Sequence, residues 1–308
     1  MPKFKTKKRL SKKKRESNLI YDRKNGILLK ETICGEGSMK FVYRTKLGKA
    51  IGYTVLKRRF FTRLCTASHY TRFSRRKIQK FVNRYNINMD EALRPMEDYR
   101  SFNDFFTRQL KEGARQIDLS PQVLISPADS KCIAYPIQDG MVFSVKGIKY
   151  SLGELVRDQN VAEEYRDGIC LVFRLAPTDY HRFCSVDRGV QSSVREIKGH
   201  WNTVNTHYAP KKVHATNYRQ VCTIRSENFG LITEIDVGAM MVGKIIQHKP
   251  MGGILEKGEE KGYFEFGGST VVLLFKRDRV ALADDILQYS ALGIECIVRM
   301  GESIGRKH

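Results

Sequence analysis

The sequence predicts an α+β protein in which a basic, helical N-terminal region precedes a mostly β domain. Between Gly48 and Asn86, apolar residues recur at helical spacing among many lysines and arginines. From Val123 to Arg299, short apolar segments bounded by turn residues follow one another, as is typical of successive strands. Hydrophobic residues make up 41% of the 308 positions, which is enough to build a packed core.

The N-terminal region divides into an arm and a helical part. Residues 1 to 18 are mostly Lys, Arg, Ser and Thr, and they predict a disordered basic arm. Ile20 to Tyr43 predicts short strands and turns, with Tyr21-Asp-Arg-Lys-Asn-Gly26 as a hairpin signal and Gly35-Glu-Gly37 as a second turn. We assign residues 19 to 120 to one region because two basic amphipathic segments follow within it. Each segment either packs its apolar stripe on the protein or dips it into a lipid surface, and the pattern leaves both possibilities open.

Residues 121 to 308 predict the mostly β domain, interrupted by a helix over Leu152 to Glu164. A buried strand, Val271 to Phe275, follows the turn-forming pair Gly267 and Gly268. The predicted strands are Val123–Ile125, Lys131–Tyr135, Val142–Val145, Cys170–Leu175, Val190–Ile197, Gln220–Ser226, Leu231–Val237, Met240–Gln247, Val271–Phe275 and Glu295–Arg299.

Charge and cysteine content narrow the class of protein. The formal net charge of +22 predicts an anionic partner, either nucleic acid or a membrane bearing acidic lipid. No nucleic-acid recognition motif accompanies the charge, which favours the membrane. The seven cysteines include no Cys-x-x-Cys pair, so we expect neither a zinc site nor a disulfide framework. No apolar stretch approaches the ~20 residues of a membrane span, so we expect the protein to be soluble or to rest on a membrane surface.

Several motifs occur in a fixed order along the chain. They are Phe102-Asn-Asp-Phe-Phe-Thr-Arg108, Ser126-Pro-Ala-Asp129, Pro177-Thr-Asp-Tyr-His-Arg-Phe183, Val237-Gly-Ala239 with Val242-Gly243, Lys257 to Val271 around Gly267-Gly268-Ser269-Thr270, and Met300-Gly-Glu-Ser-Ile-Gly305. Together these motifs resemble the phosphatidylserine decarboxylase family, most closely its bacterial branch with Gly-Gly-Ser-Thr. The resemblance extends from about Leu47 to Gly305.

The resemblance implies a proenzyme that cleaves itself between Gly268 and Ser269. Ser269 would then become a pyruvoyl group, the covalent catalytic cofactor, without a metal or an external cofactor. This group forms a Schiff base with phosphatidylserine and releases carbon dioxide to give phosphatidylethanolamine. The chain would thus be a lyase of phospholipid biosynthesis, and residues 121 to 308 would be its catalytic domain.

Activation of the Ser269 hydroxyl requires a base and a group that orients the base. By its motif, His181 resembles the family's histidine and Asp129 resembles the aspartate of its triad. Taken alone, Asp129 is equally typical of a carboxylate that caps a turn, and a lone histidine is more often structural.

The chain departs from the family at two positions where relatives have a histidine, and Ser130 replaces the glycine that usually follows the aspartate. Many relatives have a second histidine where this chain has Cys184, and a branch with cysteine there has another histidine where this chain has Asn202. Cys184 is therefore a candidate proton relay, although a thiol is a poor base at neutral pH. A nearby histidine, His200, His207 or His214, is an alternative substitute. Cys184 is equally typical of a small, inert core residue.

The resemblance and the basic helices together predict a peripheral membrane protein on the cytoplasmic face of the cell membrane. The expected partners are phosphatidylserine and an anionic membrane surface, with no nucleic acid, and the family suggests a homodimer of processed large and small chains. Two alternatives remain. One is a pyruvoyl-dependent decarboxylase of another amino-acid substrate. The other is an unprocessed, inactive relative, because Cys184 replaces the second histidine.

Overall fold

The computed structural model describes residues 19–51, 66–138, 142–145, 148–204, 213–239 and 244–308. Within these ranges the protein is α+β and mostly sheet, which confirms the predicted fold class. The predicted basic arm, residues 1 to 18, lies outside the described residues. No helix in the described ranges is long and apolar enough to cross a membrane.

Eight α-helices and nineteen strands lie wholly within the described ranges. The helices are α1 Glu36–Arg44, α2 Lys46–Ile51, α3 Arg76–Tyr85, α4 Phe102–Phe106, α5 Leu152–Val156, α6 Gln159–Glu164, α7 Val213–Thr216 and α8 Asp284–Ala291. The strands are β1 Leu19–Asp22, β2 Ile27–Lys30, β3 Val123–Ile125, β4 Ser130–Pro136, β5 Val142–Val145, β6 Ile148–Ser151, β7 Ile169–Leu175, β8 Arg182–Cys184, β9 Gly189–Gln191, β10 Arg195–Ile197, β11 Arg219–Ser226, β12 Gly230–Gly238, β13 Ile245–Gln247, β14 Gly253–Leu255, β15 Glu260–Phe264, β16 Ser269–Phe275, β17 Val280–Leu282, β18 Glu295–Val298 and β19 Ser303–Lys307.

An eleven-stranded sheet organises the described residues. Its order is β14-β9-β11-β12-β16-β7-β4-β18-β1-β2, and β10 also pairs with β11. Strand β16 lies between β12 and β7, and all seven of its residues are buried. Its unbroken apolar run matches this position, because a central strand covered on both faces has no need for alternation. Separate apolar clusters cover the two faces, one around Leu273 and one around Val272.

The first residues of the chain join this sheet. Strand β1 pairs in parallel with β18, and β2 pairs with β1 as the predicted hairpin. The predicted division of the chain at residue 120 stays a prediction, but strands β1 and β2 extend the sheet of the later domain. The expectation of strands and turns through Tyr43 is wrong from Glu36 onward, because Glu36 begins helix α1 directly after the left-handed Gly35. An ion pair between Glu36 and Lys40, at helical spacing, supports that helix.

The helix predicted over Leu152 to Glu164 is two helices, α5 and α6. Arg157 has a φ of 51°, a left-handed conformation that ends α5. Asp158 then accepts a hydrogen bond from the backbone N–H of Asn160, and helix α6 begins at the next turn. The predicted strand over Val190 to Ile197 is likewise divided, into β9 and β10.

A third apolar cluster joins the basic helix α3 to the domain. The helix buries Ile78 and Val82 against Phe102 and Phe105, and its lysines and arginines are exposed. For this helix the apolar stripe therefore packs on the protein. The first basic segment, around Arg58, Arg59 and Arg63, lies outside the described residues.

Candidate active site

The site begins where β16 begins. Gly267 has a φ of 144°, a conformation that side chains rarely adopt, and the chain then enters the sheet at Ser269. Ser269 is fully buried and pairs with Gly238 on one side and Leu175 on the other. A Cβ atom at Gly268 would lie no closer than 3.7 Å to any neighbour, so space alone does not require glycine there. The glycine that the turn requires is Gly267.

His181 faces this serine from the residue before β8. Its Nδ1 lies 3.4 Å from Ser269 Oγ, and its Nε2 lies 3.0 Å from the backbone oxygen of Ala176. Because a carbonyl oxygen accepts and cannot donate, Nε2 carries the proton in the neutral ring. Nδ1 then presents a lone pair to the Ser269 hydroxyl. The backbone of Ala176 thus selects the tautomer that can take up the serine proton.

The imidazole is held neutral. His181 is fully buried, and burial lowers its pKa to about 3, with the positive charges of Arg108 and Lys131 acting in the same direction. The hydrogen bond to Ala176 opposes this shift. The ring of Phe106 covers the imidazole at a centroid distance of 4.1 Å. At neutral pH His181 is therefore an uncharged acceptor.

Among the described contacts, none joins Asp129 to His181. Its carboxylate accepts hydrogen bonds from Arg115, with Nη2 to Oδ2 at 2.6 Å, and from the backbone N–H of Met300 at 2.9 Å. Arg115 also pairs with Glu91. The role of Asp129 as the triad aspartate stays a prediction, and in this structure the group that orients His181 is a backbone carbonyl.

A second carboxylate, Asp179, holds the turn that supplies this carbonyl. Asp179 accepts from the N–H of Ala176 at 2.7 Å, and Lys131 Nζ lies 2.6 Å from both of its oxygens. Burial raises the pKa of Asp179 and the Lys131 charge lowers it. The Lys131–Asp179 ion pair therefore holds the backbone of Ala176 in place, and the carbonyl of Ala176 in turn selects the tautomer of His181.

Cys184 lies in the apolar core at the end of β8. Its Sγ is 4.0 Å from the oxygen of Ser126, and no contact among the described residues links it to Ser269 or His181. Burial raises its pKa to about 12, with Glu234 adding to the shift and Lys261 opposing it. At neutral pH the side chain is a thiol. The geometry favours the inert reading over a proton relay.

Among the described contacts, none joins the other candidate substitutes to the serine. Asn202 exchanges hydrogen bonds with Asn217, whose Nδ2 donates to Asn202 O at 2.8 Å. His200 is exposed, and burial lowers the pKa of His214 to about 4. His207 lies outside the described residues. Of the described candidates, His181 is the histidine that contacts Ser269.

Residues 201 to 204 cover the start of β16. The indole of Trp201 lies over Gly238, where an added Cβ would come within 2.5 Å of the ring. Val204 lies 3.7 Å from the position that a Cβ of Gly268 would take. Gly238 must therefore be glycine to let the indole close over the strand next to Ser269.

Sequence reasoning missed four contributors to the site: Phe106, Lys131, Ala176 and Asp179. Phe106 and Asp179 lie inside motifs that the sequence singled out, but a motif does not say which member touches the histidine. The partnership of Lys131 with Asp179 joins residues 48 positions apart and leaves no local pattern. Ala176 acts through its backbone, which any residue would supply.

A buried serine after a Gly-Gly turn, with a neutral imidazole aimed at its hydroxyl, defines an enzyme that activates a serine inside a sheet. A family model described as phosphatidylserine decarboxylase matches residues 102–306. The chain is 41% identical over 289 residues to a phosphatidylserine decarboxylase proenzyme of Fusobacterium nucleatum subsp. nucleatum, covering 93% of this chain and 96% of the relative. It is 43% identical over 291 residues to the proenzyme of Clostridium botulinum (strain Hall), covering 93% and 98%.

A third relative, phosphatidylserine decarboxylase proenzyme 2 of Clostridium acetobutylicum, is 41% identical over 270 residues, which is 87% of this chain and 91% of the relative. The chain therefore belongs to the phosphatidylserine decarboxylase family, as its motifs predict.

Proposed function

We propose that the chain cleaves itself between Gly268 and Ser269 and that the product decarboxylates phosphatidylserine. The supporting observation is the placement of the neutral Nδ1 of His181 3.4 Å from Ser269 Oγ, with Nε2 committed to the Ala176 carbonyl. Burial of both side chains excludes water that would otherwise compete for the serine proton.

The steps use atoms of this chain and one water. Ser269 Oγ gives its proton to His181 Nδ1 and attacks the carbonyl carbon of Gly268. The proton then passes to the Ser269 nitrogen as the C–N bond breaks, which leaves an ester between Gly268 and Oγ. Loss of the Ser269 α-proton expels the Gly268 carboxylate and leaves dehydroalanine. Addition of water and release of ammonia convert this residue to a pyruvoyl group.

The ketone of a pyruvoyl group supplies an electrophile for the substrate amine and accepts the electron pair left by carbon dioxide. The residues around Ser269 fit such a group, because the position is buried and the adjacent imidazole is uncharged. His181 remains beside that position after cleavage. There it can hold or release a proton close to the α-carbon of a bound substrate.

Intact mass of the purified chain tests the proposal. We expect a large fragment ending at Gly268 and a small fragment of residues 269–308 whose amino terminus is a pyruvoyl group, and we expect Ser269→Ala to stay whole. Thr270→Ala, which changes the next residue of the strand, is the matched control and should still cleave. A wild-type chain that remains at full length through purification and prolonged incubation contradicts the proposal.

We further propose that the enzyme works as a peripheral protein on the anionic, cytoplasmic face of the membrane. Phe73 is 79% exposed and lies between the exposed residues Arg72, Arg75 and Arg76. An exposed aromatic ring among arginines suits insertion between acidic headgroups. The net charge of +22 supports the same partner.

Vesicle sedimentation tests this surface. Replacing Arg75 and Arg76 by glutamine is expected to cost about 1 kcal/mol of binding per arginine on vesicles with phosphatidylserine, with the largest loss at low salt. Phe73→Ser should weaken binding at every salt concentration. Met251→Ser, at an 86% exposed apolar residue elsewhere, is the control and should bind as wild type does. Equal sedimentation of all variants across the salt series removes this surface from the proposal.

A further inference from the structure

Within the described part of the chain, Arg108 is a buried cation without a counter-ion. It is 7% exposed, and its Nε has no hydrogen-bond partner among the described residues. Among the ion pairs of the described residues, none includes Arg108. A buried guanidinium in this state is costly, since its loss of water is not offset by an acceptor.

The other buried arginines show how this chain normally satisfies such a group. Arg174 pairs with Glu31 and Glu295. Arg219 donates to three backbone oxygens, those of Glu154, Leu155 and Asn217. Against these, the bare guanidinium of Arg108 is an exception that points to an anion supplied from outside the chain.

The position of Arg108 ties it to the site. Two residues earlier, the ring of Phe106 covers His181. The next residue of that turn, Thr107, accepts hydrogen bonds from the side chain of Arg182 through its backbone oxygen. The positive charge of Arg108 contributes to the lowered pKa of His181, which places the guanidinium within electrostatic reach of the imidazole.

The nearby carboxylate does not neutralise it. Asp129 interacts electrostatically with Arg108, but its oxygens are engaged by Arg115 and by the Met300 N–H. The guanidinium of Arg108 instead lies against the Phe105 ring, 5.0 Å from its centroid. An aromatic ring offers no oxygen acceptor, so this contact leaves the N–H groups of the guanidinium for a ligand.

We infer that Arg108 binds the phosphodiester of the phospholipid headgroup, with the serine portion reaching Ser269 and His181. This inference rests on the proposed function. A phosphodiester has two oxygens at the spacing that a guanidinium fork recognises. Its ester linkages also place it a fixed, short distance from the amine that must reach the cofactor.

The substrate carries a second anion, the carboxylate that leaves as carbon dioxide, and the chemistry argues against that anion as the ligand. Pairing with Arg108 would stabilise the carboxylate in the ground state and would be lost as the carboxylate loses its charge. The phosphodiester keeps its charge from substrate to product. An arginine on the phosphodiester therefore binds substrate and transition state equally and does not slow the reaction.

The first test measures binding without catalysis. In the uncleaved Ser269→Ala chain, calorimetry compares glycerophosphoethanolamine, which has the phosphodiester but no carboxylate, with free serine, which has the carboxylate alone. Adding Arg108→Gln should raise the dissociation constant of glycerophosphoethanolamine by roughly 10- to 100-fold, because a charged hydrogen-bonded pair is lost. Adding Arg94→Gln is the matched control and should leave binding unchanged, because Arg94 already pairs with Asp104.

The second test uses the cleaved enzyme and short-chain phosphatidylserine. Arg108→Gln should still self-cleave, and its KM should rise by a similar factor with kcat nearly unchanged. Arg108→Lys keeps the positive charge but loses the two parallel N–H donors, so its KM should lie between those of the wild type and Arg108→Gln. It replaces Arg108→Gln in the test if the glutamine variant fails to fold. Unchanged binding and KM in both variants overturn the inference, as does a loss confined to serine binding. Failure of the wild type to cleave contradicts the proposed function instead, since the binding test does not require cleavage.

Discussion

Two polar clusters are buried on the same face of the central sheet, and they differ in how their polar groups tolerate burial. On β12 and β16, the directly paired residues Gly238 and Ser269 begin the face that continues through Asp236 and Glu234. At Ser269 the two side chains that face each other, those of Ser269 and His181, are uncharged. Two and four residues along β12, Asp236 and Glu234 lie with Lys261 in a charged cluster, in which Lys261 Nζ is 2.7 Å from Glu234.

The comparison shows that burial shifts each group toward its neutral form. Burial lowers the pKa of His181 to about 3, which leaves a free base beside the serine. Burial and the neighbouring Glu234 raise the pKa of Asp236 to about 8, with Lys261 opposing, so Asp236 is mostly protonated at neutral pH. The facing Ser269 and His181 side chains are neutral and need no counter-ion of their own, whereas the charged cluster depends on one lysine.

The largest expected effect is on cleavage. His181→Ala should slow cleavage between Gly268 and Ser269 by roughly 100- to 10,000-fold, since it removes the base that faces Ser269. Cys184→Ser, nearly equal in volume, should cleave at the wild-type rate because its thiol is not a base at neutral pH. A time course of fragment masses measures both. Slow cleavage by Cys184→Ser together with fast cleavage by His181→Ala would mean that Cys184, and not His181, is the base.

The same time course, repeated at several pH values, tests whether the base is the buried His181. With a pKa of about 3, His181 stays unprotonated through mildly acidic conditions, so the cleavage rate should not fall between pH 8 and pH 5. A rate that declines with an apparent pKa near 6.5 would mean that the base is a solvated histidine.

The next effect is on stability. Lys261→Met removes the cation from the charged cluster and should lower the free energy of unfolding by about 3–5 kcal/mol, because Glu234 is left buried and unpaired. Lys249→Met is the matched control, since Lys249 pairs with Glu259 at the surface and should cost less than about 1 kcal/mol. Urea unfolding of the Ser269→Ala forms gives both values. Equal midpoints for the two variants would show that the cluster is not held by its lysine.

The smallest effect is the pH dependence of that stability. Because the folded-state pKa of Asp236 is raised above its unfolded value, its contribution is fully present below about pH 4 and is lost as pH rises through about 8. Asp236→Asn should therefore flatten the decline of unfolding free energy between pH 5 and pH 8. Urea titrations at several pH values measure the slope. An unchanged slope would assign the decline to other groups.

The sequence predicted the parts of the fold that local patterns determine. The apolar run of Val271 to Phe275 gave the central strand, and Asn25-Gly26 gave the first hairpin. Two errors came from conformations that a single residue decides, the left-handed Gly35 and Arg157. Pairing between distant segments could not be predicted, since no local pattern in Leu19 to Asp22 indicates that this strand pairs with β18.

At the site, motif resemblance identified Ser269 and His181, and the geometry brings them together. It did not reveal how His181 is oriented, because the partner is a backbone oxygen, and every residue has one. The significance of Cys184 also depended on its surroundings. Burial and the neighbouring Glu234 raise the pKa of this thiol to about 12, and the nearby Lys261 opposes the shift only in part, so the side chain stays a thiol at neutral pH.

The place of β16 in the sheet has a consequence for the fragments. Residues 269–308 form β16 to β19 and α8, with β16 inserted between β12 and β7 and β18 between β4 and β1. A cut before Ser269 would turn one chain into two fragments whose strands alternate in the eleven-stranded sheet without a covalent link. Folding is unimolecular before the cut, but recovery from denaturant afterwards would be a second-order reaction that slows on dilution.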